Sequence, residues 1–226
     1  MAVKKEDNMK KLYIFDLDGT LVNSLYDLGE SVNTVLARHG WAVHDMEKYR
    51  YFVGNGTLKL IERALPDGEK TAERIAEIHE EFAAEYEANL VKHTAPYDGI
   101  KELAEELKKR GALLAVASNK PDRFSKEIVE TLFGKGFFDK VYGKREGVPT
   151  KPDPQIMLDI MKELGVKAED CIHSGDSNVD VATAHNAGVK CIGCTWGFRT
   201  EGELLEAGAD YIANSAEDIL ALTEAL

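Results

Sequence analysis

An α/β fold, with a mostly parallel sheet, helices on both its faces and a helical domain inserted near its start, is predicted by three observations. From about residue 98 onward, helical segments alternate with short apolar runs rich in strand formers. Such alternation means parallel strands joined by right-handed crossovers. The stretch from Ser24 to about Val91 holds no convincing strand and is too long for one crossover helix. Aspartates also follow strand ends, where an open parallel sheet binds its ligands.

The elements follow in order. "KLYIF" is the first strand. "LYDLGESVNTVLARHG" spaces Leu25, Leu28, Val32, Val35 and Leu36 as a helix does, and stops on Gly40. "TLKLIERAL" is a second helix after the "VGNG" loop. "EKTAERIAEIHEEFAAEYEANLV" is a long amphipathic helix with a solvated acidic face. "IKELAEELKKRG" is a helix, with Asp98 as its N-cap and Gly111 as its stop. "ALLAVAS" is a buried strand, and "PDRFSKEIVETLF" a helix with proline in its first turn. Then come strand "FFDKVYG", helix "DPQIMLDIMKELG" capped by Asp153, strand "DCIHSG" and helix "NVDVATAHNAG". Strand "VKCIGCTW", helix "TEGELLEAG", strand "DYIA" and helix "SAEDILALTEAL" complete the chain. The expected division is a three-layer, Rossmann-like core from residues 1–22 and 96–226, with a helical domain over 23–95. The hinges fall around Asn23–Ser24 and Ala95–Asp98.

Bulk properties narrow the function. A formal net charge of −12 argues against nucleic acid or an anionic membrane as the main partner. No apolar run reaches the roughly 18 residues of a membrane-spanning helix. "MAVKKEDNMKK" has no apolar stretch after its lysines and reads as a solvated arm, not a secretory signal. Three cysteines without such a signal point to a reducing, cytoplasmic setting. Cys191 and Cys194 form a C-x-x-C, but on a strand they face opposite ways and read as core residues. A monomer or weak homodimer is expected.

The strand ends carry the chemistry. The first supplies Asp16 and Asp18, the second Ser118-Asn119-Lys120, and the fourth Asp176 and Asp180. The loop after the third ends in Lys151. Singly, Asp176 or Asp180 would pass for a helix cap, Ser118 for a turn residue and Lys151 for a solvated lysine. Together they form a site. Clustered carboxylates repel unless a cation sits among them. Hard oxygen ligands beside a lysine suggest Mg²⁺, which favours carboxylates plus substrate phosphate. A lysine and a hydroxyl cradle phosphate oxygens. One carboxylate can attack phosphorus and a second can move a proton to and from the leaving oxygen. Gly19 lets the chain turn tightly beside the ligand.

"DLDGTLVNS", "ASNK", "KPDP" and "GDSNVD", in this order, resemble the four motifs of the haloacid dehalogenase-like hydrolases. The helical insert resembles that superfamily's cap. "FVGNGTLKLIERAL", with "SNKP" and "KPDP", is most similar to the phosphoglycolate phosphatase-like branch. The resemblance implies Asp16 as nucleophile and Asp18 as general acid and base, its backbone carbonyl on Mg²⁺. It implies Asp176 as the other metal carboxylate beside Asp16, with Asp180 behind them ordering a metal-bound water or holding Lys151. Ser118 and the amide of Asn119 would bind phosphoryl oxygens, Lys151 would neutralise the nucleophile and the transferred phosphate, and Thr20 would support the loop. In the cap, Gly54, Asn55, Gly56 and Thr57 form the loop expected to meet the rest of the substrate, or else an ordinary glycine turn. Asn23 departs from the commoner aspartate, and His173-Ser174 from apolar residues. His173 and His93 read as structural, and Arg199 as lying on the core surface.

The implied activity is a Mg²⁺-dependent phosphatase cleaving a small phosphate monoester, such as 2-phosphoglycolate, through a phospho-aspartate. The alternatives are a phosphomutase resembling β-phosphoglucomutase and a non-catalytic binding module. An intact Asp18 disfavours the module, and also a dehalogenase, whose family lacks that carboxylate.

Overall fold

The structure is a computed structural model that describes residues 10–225; the first nine residues of the arm fall outside them. Its centre is a six-stranded sheet of β1 (Leu12–Phe15), β4 (Leu113–Pro121), β5 (Lys140–Lys144), β6 (Cys171–Gly175), β7 (Lys190–Cys194) and β8 (Tyr211–Ala213). Their order is β5-β4-β1-β6-β7-β8, every neighbouring pair parallel. β1 is central because all four of its residues are apolar and buried on both faces.

Period-2 alternation sorts the strand side chains into two cores. Tyr13 and Phe15 join one face, Leu12 and Ile14 the other. The first face is covered by α5 (Ile100–Lys109), α6 (Asp122–Phe133) and α10 (Ala216–Ala225), through residues such as Leu107, Ile128 and Ile219. The second is covered by α7 (Gln155–Leu164) and α8 (Asn178–Asn186), through Ile160 and Ala184, and α9 (Glu201–Glu206) connects β7 to β8. Cys191 lies in the second core and Cys194 in the first, as their spacing requires.

Between β1 and β4 the chain leaves the sheet for four helices: α1 (Leu25–Arg38), α2 (Met46–Phe52), α3 (Thr57–Ala64) and α4 (Ala72–Ala88). The expected apolar stripe of α1, Leu28, Val32, Val35 and Leu36, is buried, as are Ile78, Phe82 and Tyr86 of α4. α2 has no counterpart in the sequence reading. It is seven residues long, buries only Tyr49, and starts on the Asp45 carboxylate, which accepts from Glu47 N at 3.2 Å. The two crossings to the sheet pair as an antiparallel ribbon, β2 (Val22–Asn23) with β3 (Ala95–Pro96). The buried Asp27 carboxylate ties this exit together, accepting from His93 N at 2.9 Å and from Thr94 N and Oγ1 at 2.8 and 2.7 Å. His93 is therefore held by its backbone.

Two caps differ from expectation. Asp98 does not cap α5: the chain enters through Gly99 at φ +76°, and no side chain caps that end. Pro154 takes the N-cap position of α7, while Asp153 still accepts from Gln155 N at 2.9 Å. The third strand starts only at Lys140, because Phe138 turns into the core and the Asp139 carboxylate accepts from Leu114 N at 2.9 Å.

Candidate active site

All the strand ends meet at one edge of the sheet. At β1 the ladder continues through Asp16 N, which donates to Ser174 O at 2.9 Å, and this fixes where the Asp16 carboxylate emerges. Gly19 then turns at φ +88°. A Cβ there would lie 2.4 Å from Asp176 Oδ2, so the turn needs glycine for conformation and for space. The register of β4 against β5 shifts between Ala117 and Pro121, an irregularity that re-aims Ser118, Asn119 and Lys120, all three buried.

Three carboxylates converge. Asp16, Asp176 and Asp180 each offer an oxygen within 4.8 Å of the others. Lys151 Nζ reaches this group, 2.9 Å from Asp16 Oδ1, 2.7 Å from Asp180 Oδ1 and 2.9 Å from Ala117 O. Asp180 is tied at its other oxygen by Ser177 N at 3.1 Å and Ser177 Oγ at 2.6 Å, a reciprocal cap at the start of α8. Asp176 accepts from Thr20 Oγ1 at 3.2 Å and from Phe198 N at 2.7 Å. His173 is fully buried between Ile14 O, 3.0 Å from Nδ1, and Asp180 Oδ1, 3.5 Å from Nε2. Burial holds its imidazole below the ordinary histidine value, so it is a packed, satisfied side chain.

Burial and like charge dominate the electrostatics. Burial, then the Asp180 charge, pushes Asp16 up to about 7 against the pull of Lys151. Burial, then Asp180 and Asp16, raises Asp176 well above the usual carboxylate range. Burial works against the Asp180 charge too, but Lys151 and His173 outweigh it and hold its carboxyl low. Burial likewise opposes the Lys151 charge, and Asp16 and Asp180 more than compensate. With all three carboxylates ionised the cluster would carry more negative charge than one lysine balances, which, added to burial, is why two of them are raised. A divalent cation fits that deficit and those donors.

The Asp18 carboxylate stands outside this trio. It accepts from Ser24 Oγ at 2.5 Å and from Lys120 Nζ at 2.8 and 2.9 Å. Asp16, Asp18, Ser118 and Lys120 line a pocket with about 390 Å³ of empty space, open solvent at its mouth included. The far wall is the helical insert: Val53, Gly54, Gly56 and Thr57. Asn55 is not on that wall; its Oδ1 accepts from Arg63 at 2.7 Å. Asn119 joins both sides, its Nδ2 donating to Gly54 O at 3.2 Å and Lys151 O at 3.1 Å, its Oδ1 accepting from Lys151 N at 2.8 Å.

Sequence reasoning assigned no role to Lys120 or Ser24 and left Arg199 on the core surface. Lys120 had a usable signal, since alternation puts it on the same side as Ser118. Arg199 in fact reaches the insert, donating to Arg50 O and, at 3.3 Å, to Val53 O. Arg50 Nη2 returns a bond to Gly197 O at 2.7 Å.

A parallel α/β core, a helical insert after the first strand and a carboxylate–lysine site at their junction define a hydrolase of one superfamily. The chain belongs to the haloacid dehalogenase-like hydrolases, whose family model matches residues 13–194. It is also similar to curated proteins and solved structures over most of its length. It is 33% identical over 220 residues to phosphoglycolate phosphatase 1 of Pseudomonas aeruginosa, covering 94% of this chain and 79% of that one. It is 33% identical over 216 residues to the phosphoglycolate phosphatase of Mannheimia succiniciproducens, covering 93% and 96%. Among solved structures, a predicted phosphoglycolate phosphatase from Haemophilus somnus superposes with a TM-score of 0.86 at 30% identity, covering 95% of this chain and 98% of that one.

Proposed function

We propose that this hydrolase is a Mg²⁺-dependent phosphatase of small phosphate monoesters, with 2-phosphoglycolate as substrate, working through a phospho-aspartate on Asp16. The observation that carries this reading is the separation of two carboxylates in one pocket. Asp16 is charge-compensated by Lys151, while Asp18, two residues on, is held apart by Lys120 and Ser24. They can therefore do different jobs. Residues 1–22 and 96–226 act as the core and 23–95 as the cap.

Asp16 Oδ attacks phosphorus, and the bond from phosphorus to the substrate oxygen breaks. Asp18, protonated, gives its proton to that leaving oxygen. Water then attacks phosphorus, Asp18 takes its proton, and the bond to Asp16 breaks to release phosphate. Ser118 and the Asn119 amide hold phosphoryl oxygens, and Lys151 keeps Asp16 oriented and offsets charge. Asp16, Asp176 and the Asp18 carbonyl would hold Mg²⁺, with Asp180 securing Lys151. When bound, the cation supplies positive charge to the phosphate oxygens and the nucleophile. The cap walls the pocket and excludes water. We further propose a cytoplasmic enzyme acting as a monomer or weak dimer. No helix among the described residues is long and apolar enough to cross a membrane.

The test is phosphate release, with Mg²⁺, from a panel holding p-nitrophenyl phosphate, 2-phosphoglycolate, sugar phosphates and nucleotides. Asp16→Asn should abolish release from every ester. Normal turnover by that variant would overturn the nucleophile. Isomerisation of a sugar phosphate with little free phosphate would show a mutase instead.

A further inference from the structure

Among the described residues of the helical insert that line the pocket, Thr57 alone carries a polar side chain; the others are Leu28, Val53, Gly54, Gly56 and Leu60. Its hydroxyl is tethered from outside the pocket. Thr57 Oγ1 lies 2.8 Å from Nε2 of His79, on α4. We infer that His79 is a positioning residue: it holds the Thr57 hydroxyl at the pocket wall, where that hydroxyl bonds an oxygen of the substrate beyond phosphorus. The inference rests on the phosphatase reading above and adds a residue that sets the wall facing its substrate.

A threonine carries a hydroxyl and a methyl on the same carbon, and rotation about χ1 exchanges them. Inside a helix the hydroxyl settles on the carbonyl one turn earlier. Thr57 lacks that anchor, because it is the first residue of α3 and follows Gly56 at φ +87°. His79 supplies the anchor instead. The backbone here is already placed: a Cβ on Gly56 would lie 3.3 Å from Asn119 O, so the start of α3 meets the core strand end. Only the side chain is left to be set. His79 is itself well held, since α4 buries Ile78 and Phe82 on either side of it and its ring lies 6.3 Å from that of Phe82. A hydroxyl has one hydrogen and two lone pairs. His79 uses one of these, and no other bond to Thr57 Oγ1 occurs among the described residues. The remainder is available to a ligand. Burial, then the Lys144 charge from the core, holds the imidazole below the ordinary histidine value against the opposing charge of Glu80. A neutral ring can donate or accept at Nε2, so Thr57 can give or receive a bond as the substrate oxygen requires.

A double-mutant cycle on KM tests this, with 2-phosphoglycolate and Mg²⁺, or with the fastest ester of the panel should that differ. Thr57→Val removes the hydroxyl and keeps the shape. His79→Phe keeps a ring beside Phe82 and removes the nitrogen. Each should raise KM roughly 3–10-fold, the range for one hydrogen bond. Their kcat should stay within about twofold of wild type, because the bond is made equally in ground and transition states. The double variant should be no worse than Thr57→Val alone, since His79 acts only through that hydroxyl. His79→Gln, whose amide still reaches Thr57, should keep KM within about twofold of wild type. Inorganic phosphate, which has nothing beyond phosphorus, should inhibit all of them equally. An unchanged KM in Thr57→Val overturns the inference. So does a His79→Phe penalty that is as large in the Thr57→Val background as in wild type, which is what a merely structural histidine would give. If His79→Phe does not fold, the other two single variants decide: a raised KM in Thr57→Val with a near-normal one in His79→Gln upholds the inference, and any other pairing overturns it. In each of these cases wild type still releases phosphate, so the phosphatase reading survives. If wild type releases phosphate from no ester, both fall.

Discussion

Stripping divalent cations should make the protein less stable as pH rises from 5 to 8, and Asp16 is the reason. Its buried carboxyl is raised from 3.8 to about 7. The folded protein then keeps a proton that the unfolded chain has lost above about pH 4. Stability from such a group is complete below the unfolded value and is lost as pH climbs through the folded one. From pH 5 to about 7 the loss covers two pKa units, or about 3 kcal/mol at about 1.4 kcal/mol each. Asp176 is raised as well and adds in the same direction. Asp180, held low, stays ionised across this window and contributes no slope. The proton belongs to the coupled cluster as much as to Asp16. For a chain of this size, about 3 kcal/mol corresponds to about 6–12 °C in the unfolding midpoint. The assay is thermal unfolding followed by circular dichroism in EDTA, for wild type and for Asp16→Asn, which cannot ionise there. Wild type should lose midpoint with pH relative to the variant. Saturating Mg²⁺ should flatten the wild-type line, since metal binding displaces the same protons. Parallel lines for the two proteins in EDTA would refute the reasoning.

Three further outcomes are expected. Asp18→Asn should slow hydrolysis of an alkyl phosphate by about 10²–10⁴-fold and of p-nitrophenyl phosphate by much less, because only the poor leaving group needs the proton; equal losses on both would count against the acid role. Lys151→Met removes one partner from a buried ion cluster and should cost about 3–5 kcal/mol in urea unfolding without metal, and an unchanged midpoint would contradict it. Arg199→Ala should raise KM for phosphoglycolate by about tenfold and speed amide exchange over residues 50–54, since it unties the cap from the core; unchanged exchange would show that these bonds do not hold the cap.

The core and the gathering of most candidate site residues were legible because a parallel sheet sends all its strand ends to one edge. Asp16, Ser118 and Asp176 could be gathered by reading the residues after each apolar run, with no knowledge of packing. The opposite placement of Cys191 and Cys194 followed from strand periodicity alone. Helix α2 was illegible because one buried residue, Tyr49, gives no period to detect. Gly99 displaced Asp98 as the cap of α5 because a left-handed entry is a backbone choice, and the Asp–Gly pair permits either reading. Arg199 was missed for a different reason. Its partners, Arg50 and Val53, are 149 and 146 residues away, so the contact exists only once the insert is seated. Lys120 lay in view, but which carboxylate it would choose depended on the strand irregularity that redirects it.

The contacts between cap and core fall on groups that position the site, and this ties specificity to chemistry. Gly197 packs so tightly that a Cβ on it would lie 2.2 Å from the Asp176 Cβ and 2.4 Å from Gly19 O. The next amide, Phe198 N, holds the Asp176 carboxylate, while Gly197 O accepts from Arg50 of the cap. One peptide segment therefore touches a metal-ligand candidate on one side and the cap on the other. Asn119 repeats the arrangement, holding Gly54 O of the cap and both backbone polar groups of Lys151. A cap that swings away takes partners from both segments at once. On the proposed reading, a substrate whose far end drew the cap shut would restore both together. Binding energy from the end of the substrate remote from phosphorus would then help to set Asp176 and Lys151.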